Sequence, residues 1–169
     1  MENLISKSLR HKIVFVAFSL FLCFVYSSCM EHKEVYMQYA EMKGGQWKQN
    51  DTLFFTIDST DIEVGISYDL SLEVTNNISY PYSNIWFFVQ SDFQNDSIFA
   101  HTAKEYQLAD EYGKWEGSGF GSLYQLSCPF ERVIFKERRN YHIKIEHGMR
   151  DEPLIGIEKV GVKLISIEK

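Results

Sequence analysis

Cys29 is the first residue whose surroundings specify a chemistry. It follows Ser27 and Ser28, and ahead of these lie residues 13–26, fourteen positions without a charge. Lys7, Arg10, His11 and Lys12 precede that run. A basic start, an apolar stretch of about 7–15 residues and small residues before a cut make up a secretory signal peptide. A bilayer-spanning helix needs about 20 apolar residues, so the run is too short to span. Small residues directly before a cysteine add a further reading. Such a thiol receives a diacylglyceryl group, and cleavage leaves the cysteine as the first residue. Tyr26 stands three before it, where leucine is commonest. Several acyl chains on one residue anchor stably, at about 0.8 kcal/mol per buried CH₂. The expectation is a lipoprotein signal peptide over 1–28, with membrane lipid engaged through acylated Cys29. An ordinary signal peptide followed by an incidental cysteine is the alternative.

Other residues that could do chemistry lack the spacing for it. Gly117, Gly119 and Gly121 suggest a phosphate loop, but the third glycine comes one place early for a dinucleotide fingerprint and no P-loop lysine follows. They read as a turn or bulge. His142 and His147 are five apart, which on a strand puts them on opposite faces and prevents both from holding one metal. No paired-cysteine or H-E-x-x-H pattern exists. Carboxylates are plentiful, yet nothing singles out a pair for glycoside hydrolysis; most read as solvated strand or turn positions. Cys128 has no intrachain partner once Cys29 is acylated and reads as a small buried apolar residue. The reading is therefore of no enzyme, no cofactor and no metal.

The residues left for recognition lie in "DEYGKWEGSGFGSLYQLS", 110–127, a long Gly- and Ser-rich segment carrying Trp115, Phe120 and Tyr124. Long ordered loops are often functional, and aromatics and arginine dominate interface hot spots. Trp115 and Phe120 could stack on a sugar or fill a partner's pocket; the bland alternative is that they fold back over one end of the domain. Arg150, beside Asp151 and Glu152, is a further binding candidate, or else a salt-bridge residue. "KERR", 136–139, could meet lipid head groups or an acidic partner, but is better read as capping a hairpin.

The elements that position these residues are strands. In "SYDLSLEVTNN", Tyr68, Leu70, Leu72 and Val74 alternate with Asp69, Ser71, Glu73 and Thr75, the period of a half-buried strand. "TLFFTID" alternates likewise. "IWFFVQSDF" reads as a fully apolar, central strand, paired through the turn "QNDS" with "IFAHTAKEYQL" as a hairpin. "RVIFKE", "YHIKIEHGM" and "VGVKLISIE" complete the set. Residues 29–46 read as a lipidated tether with one short strand near 35–39, and 47–169 as one all-β domain. That domain is an antiparallel, jelly-roll-like β-sandwich of about seven or eight strands. The chain carries a formal charge of −6; loss of residues 1–28 removes three cations and one anion, leaving −8 on 141 residues. An acidic domain is a poor nucleic-acid binder, because phosphate affinity rests on clustered Lys and Arg.

Taken in order, these motifs resemble the gliding-motility lipoprotein family GldH of Bacteroidetes. The resemblance rests on Cys29, then "GGQWKQNDTLFFTI", "NNISYPYSNIWFFV", "LADEYGKWEGSGFGSLYQ" and "YHIKIEHGMRDEPLIGIEKVGVKL". It implies a non-enzymatic lipoprotein of the outer membrane, on its periplasmic face or the cell surface. Such a protein works with the envelope proteins of gliding and the linked type IX secretion. A glycan-binding sandwich lipoprotein is the second expectation, and a hydrolase with an unrecognised carboxylate pair a weaker third.

Overall fold

Strict alternation along residues 67–77 sets the architecture. In the computed structural model, which describes residues 32–167, Tyr68, Leu70, Leu72 and Val74 all point into one core and are buried. The expected signal peptide and Cys29 lie outside the described residues. In chain order the strands are β1 (His32–Glu41), β2 (Gln46–Trp47), β3 (Leu53–Ile57), β4 (Ser67–Asn77), β5 (Asn84–Ser91), β6 (Ala100–Gln107), β7 (Ser118–Phe120), β8 (Leu123–Ile134), β9 (Tyr141–His147), β10 (Leu154–Ile155) and β11 (Ile157–Ile167). A five-stranded sheet runs β1-β11-β4-β8-β7 and a four-stranded sheet β3-β9-β5-β6; β2 and β10 pair at one end. Every pairing is antiparallel. The result is an all-β antiparallel sandwich. Its strands number eleven where seven or eight were expected, the excess being the two- and three-residue pieces β2, β7 and β10.

The core lies between the two large sheets. β4 and β11 contribute Leu70, Leu72, Val74, Val160, Val162 and Leu164; β3, β5 and β9 contribute Phe55, Ile57, Ile85, Phe87, Ile143 and Ile145. Cys128 joins them, unpaired and buried, and burial pushes its thiol up to about 12. At one pole Phe93, Phe135 and Tyr141 close the sandwich, with Phe135 and Tyr141 centroids 4.4 Å apart. At the other, Trp47 is fully buried and donates from Nε1 to the carbonyl of Asp51 at 2.8 Å.

Three expectations change. Residues 30–46, read as a polar tether, contain the ten-residue edge strand β1 paired along β11. Its apolar contributions, Val35, Tyr36 and Ala40, are sparse because an edge strand is only partly covered. "KERR" caps no hairpin: β8 and β9 belong to different sheets, so 135–140 is a crossover. Arg139 turns inward there, stacks 3.9 Å over the Tyr141 ring and donates to the Asp92 carbonyl and carboxylate. And the carboxylates are not all solvated. Asp92 is buried, and Glu73 is only 1% exposed on the outward face of β4. The Glu73 carboxylate meets Lys163 Nζ at 2.6 Å and accepts from the hydroxyls of Ser127 at 2.6 Å and Ser71 at 3.0 Å.

Removing one member of a buried ion pair strands the other and costs about 3–5 kcal/mol. Lys163→Met is therefore expected to lower the urea unfolding free energy by about 3 kcal/mol, and the double variant Glu73→Leu/Lys163→Met to recover most of that loss. A single-variant loss below about 1 kcal/mol, the range of an exposed pair, would contradict the buried network.

Candidate functional site

The outward side of β5 carries the site. Period two sends Ile85, Phe87 and Val89 into the core and leaves Trp86 and Phe88 outside, 38% and 46% exposed. Beside them, just past the end of β9, the chain turns through Gly148, Met149 and Arg150. The Gly148 N–H donates to the Trp86 carbonyl at 2.7 Å. A Cβ on Gly148 would lie 3.0 Å from the Phe88 ring and 3.1 Å from Trp86 Cβ, so glycine lets the two aromatics lie against the turn. Together with Tyr82 and Asn84 these residues line an open groove of about 390 Å³.

The groove has apolar walls and a charged rim. Met149 is buried at its base and Arg150 is exposed. Among the described residues no carboxylate lies within ion-pair distance of Arg150; the expected bridge to Asp151 or Glu152 does not form. Glu152 instead accepts from the Gln49 N–H at 2.6 Å. A hydrogen bond with Asp151 holds the Tyr82 phenol above its ordinary pKa. The same face extends toward β3, where Phe54 is exposed and Lys144 Nζ lies 5.7 Å from its ring.

The loop aromatics are arranged differently. Trp115 is half-buried, 6.4 Å from the Tyr80 ring and 5.8 Å from Tyr124, and its backbone bridges to Ala109. Tyr124 is likewise half-buried. The Asp110 carboxylate accepts from the N–H groups of Tyr112 and Lys114, which fixes the turn. Tyr112, 87% exposed, projects from the turn before Trp115, and Phe120, 95% exposed, projects from the tight β7–β8 turn. The glycines there serve packing. A Cβ on Gly117 would sit 2.7 Å from the Gln125 carbonyl and one on Gly119 2.3 Å from that of Leu123, while Gly121 has φ +67°. Arg150 thus lines a groove with Trp86 and Phe88 rather than with Trp115, Phe120 or Tyr124.

Trp86 and Phe88 were missed because "IWFFVQS" was read as apolar on both sides. The strand is interior to its sheet but open on one face, so the alternation that was present needed reading as such.

Behind the groove, His147 points the other way, into the core. It lies opposite Phe87 and edge-on to Trp47, centroids 5.1 Å apart. Among the described residues neither ring nitrogen has a hydrogen-bond partner of good geometry, and burial lowers its pKa below 6.5 against the weaker opposing pulls of Glu152 and of the Trp47 and Met149 backbones. His142 faces outward and bonds Asp92 at 2.8 Å. On the opposite sheet the Ser127 hydroxyl accepts from Lys163 at 3.1 Å. That ammonium is already bound to Glu73, so it offers the hydroxyl no free base.

A profile described as GldH lipoprotein matches residues 34–164. The gliding motility lipoprotein GldH homolog of Christiangramia forsetii is 29% identical over 160 residues, covering 88% of this chain and 95% of that protein. The gliding motility lipoprotein GldH of Flavobacterium johnsoniae is 28% identical over 148 residues, covering 81% and 87%. Among solved structures, a carbohydrate-binding module specific for non-crystalline cellulose aligns at a TM-score of 0.43 and 10% identity, over 79% of this chain and 80% of that one; so slight a likeness bears no inference about function.

The buried neutral His147 makes stability pH-dependent. Its folded pKa is depressed, so the unfolded chain binds a proton that the folded chain refuses. Its contribution is full above pH 6.5 and is lost as the pH falls below it. His147→Phe, which keeps an aromatic ring against Trp47, is expected to flatten the stability profile between about pH 7 and 5. Parallel profiles for the two proteins in urea titrations would contradict this.

Proposed function

The chain belongs to the GldH lipoprotein family, and from that footing we propose a non-enzymatic, lipid-anchored envelope protein of the gliding-motility machinery that acts by binding other envelope proteins. Acylated Cys29 is the anchor in this reading, the outer membrane its site, and the linked type IX secretion apparatus the source of partners. The observation that carries the protein-binding role is the groove of Trp86, Phe88 and Met149 rimmed by Arg150, which has no ion-pair partner among the described residues. Tryptophan, tyrosine and arginine are the residues over-represented where interface energy concentrates.

The topology supports the division of labour. Cys29 precedes the start of β1 by three residues, a reach of about 10 Å. The start of β1 shares a pole with the end of β11, the start of β4 and the end of β8. Gly148–Arg150 and the start of β5 belong to the opposite pole, beyond strands up to 12 residues long. At about 3.3 Å per residue that separation is about 35 Å.

In-cell crosslinking of the tagged protein followed by mass spectrometry tests the reading. Trp86→Ala/Arg150→Ala is expected to cut recovery of other envelope proteins about tenfold with the folded signal unchanged. Cys29→Ser is expected to move the protein from the membrane fraction to the soluble fraction. Undiminished capture by the double variant would overturn the groove as the interface. Retention of Cys29→Ser in the membrane would overturn the anchor.

A further inference from the structure

The outward face of the five-stranded sheet holds a second surface, distinct from the Trp86–Arg150 groove. Its floor is β4, where Ser71, Glu73 and Thr75 are buried. Toward one pole lies an open cavity of about 640 Å³, lined by Asp69, Ser71, Ser127, Glu131, Arg132 and Lys163 among others. Toward the other lies one of about 550 Å³, lined by Tyr39, Thr75, Phe120, Leu123, Gln125 and Lys159. Between them Gln125 Nε2 donates to the Tyr39 hydroxyl at 2.8 Å, a bar reaching from β8 to β1 across the two strands between. Gly161 permits it: a Cβ there would lie 2.6 Å from the Tyr39 ring. From Asp69 to Thr75 the trough runs about 20 Å along β4.

Three of its carboxylates are ion-paired. Arg132 forks onto Asp69 at 2.8 and 3.2 Å. Lys163 meets Glu73 at 2.6 Å, and Lys159 meets Glu41 at 2.7 Å. Lys104 Nζ is spent on the carbonyls of Pro129 and Phe130. Among the described residues Asp69, Glu73 and Glu41 each meet a compensating cation, so a charged ligand must displace an existing pair at these positions. What the trough does offer is donors and acceptors side by side: guanidinium beside carboxylate, ammonium beside hydroxyl, amide beside phenol. A hydroxyl is both donor and acceptor, so a polyhydroxylated neutral chain satisfies such an array. Glu131 adds an exposed carboxyl, held above its ordinary pKa by desolvation, with no hydrogen-bond donor or ion-pair partner among the described residues. Ile165, Pro129 and Phe130 on one side, and Leu123 and the projecting Phe120 on the other, supply apolar surface for the C–H faces of sugar rings.

We propose that this trough binds a neutral oligosaccharide, laid along β4 between Arg132 and Phe120. Titration calorimetry of the full lipidated protein in nanodiscs tests it, with cellohexaose, xylohexaose, mannohexaose and maltohexaose as probes and oligogalacturonate as the anionic control. At least one neutral hexaose is expected to bind. Its affinity should fall about tenfold in Arg132→Ala and in Phe120→Ala, both exposed positions, stay unchanged in Trp86→Ala, and hardly respond to added salt. The proposal is overturned if none of the neutral probes binds, if binding survives both trough variants, or if only oligogalacturonate binds and salt abolishes it.

Discussion

A carboxylate on the outside of a sheet, with almost no water to solvate it, is the constraint from which the five-stranded sheet follows. Glu73 lies opposite Ser127 on β8 and opposite Gly161 on β11, one step diagonal from Lys163. Its hydrogen bonds reach residues of three adjacent strands. Side chains alternate along a strand, so a slip of one residue in any of these pairings would send Glu73 or Lys163 toward the core and lift Leu72 or Val162 out of it. The ion pair need not add much net stability, because desolvation consumes most of the attraction. What it excludes is every register but one. With β4, β8 and β11 held in register, the inner face presents an unbroken apolar wall, and the four-stranded sheet has one surface to cover.

That inner surface accounts for how much of the fold was legible in the sequence. Period-two alternation at Tyr68–Val74 and at Leu53–Ile57 follows from facing a core on one side, and both strands were readable. The 85–107 hairpin was readable too, through its turn residues. What alternation could not supply was the partner across each gap. The charged segment 135–140 looks like a hairpin tip, and only the assignment of β8 and β9 to opposite sheets makes it a crossover. β1 was legible only as a short strand near 35–39 because an edge strand needs few apolar residues. Glu73 was read as solvated because its own strand is polar on that side. Its burial comes from Tyr39, Gln125 and Lys163, which lie 34 to 90 residues away in the chain.

The candidate site was legible in part. Phe120 projects as a loop aromatic can, while Trp115 packs on Tyr80 and Tyr124 and serves the end of the sandwich. Arg150 was picked out by type, but its neighbours Trp86 and Phe88 come from a strand more than 60 residues away. An aromatic pair on the open face of an interior strand costs solubility and contributes nothing to the core, which is why it directs attention to binding. The two large sheets thereby carry different outer faces: one bears the aromatic groove with Arg150 at its rim, the other a polar trough in which three carboxylates are ion-paired.

The most direct test of the account is a photo-crosslinking amino acid placed at Phe88 in living cells, with parallel insertions at Val64, near the pole where β1 starts, and at Phe120. Irradiation followed by mass spectrometry of the adducts reads which surface touches protein. The account predicts a discrete envelope-protein adduct from Phe88 and none from Val64 or Phe120. Protein adducts from Phe120 or Val64 with none from Phe88 would contradict it.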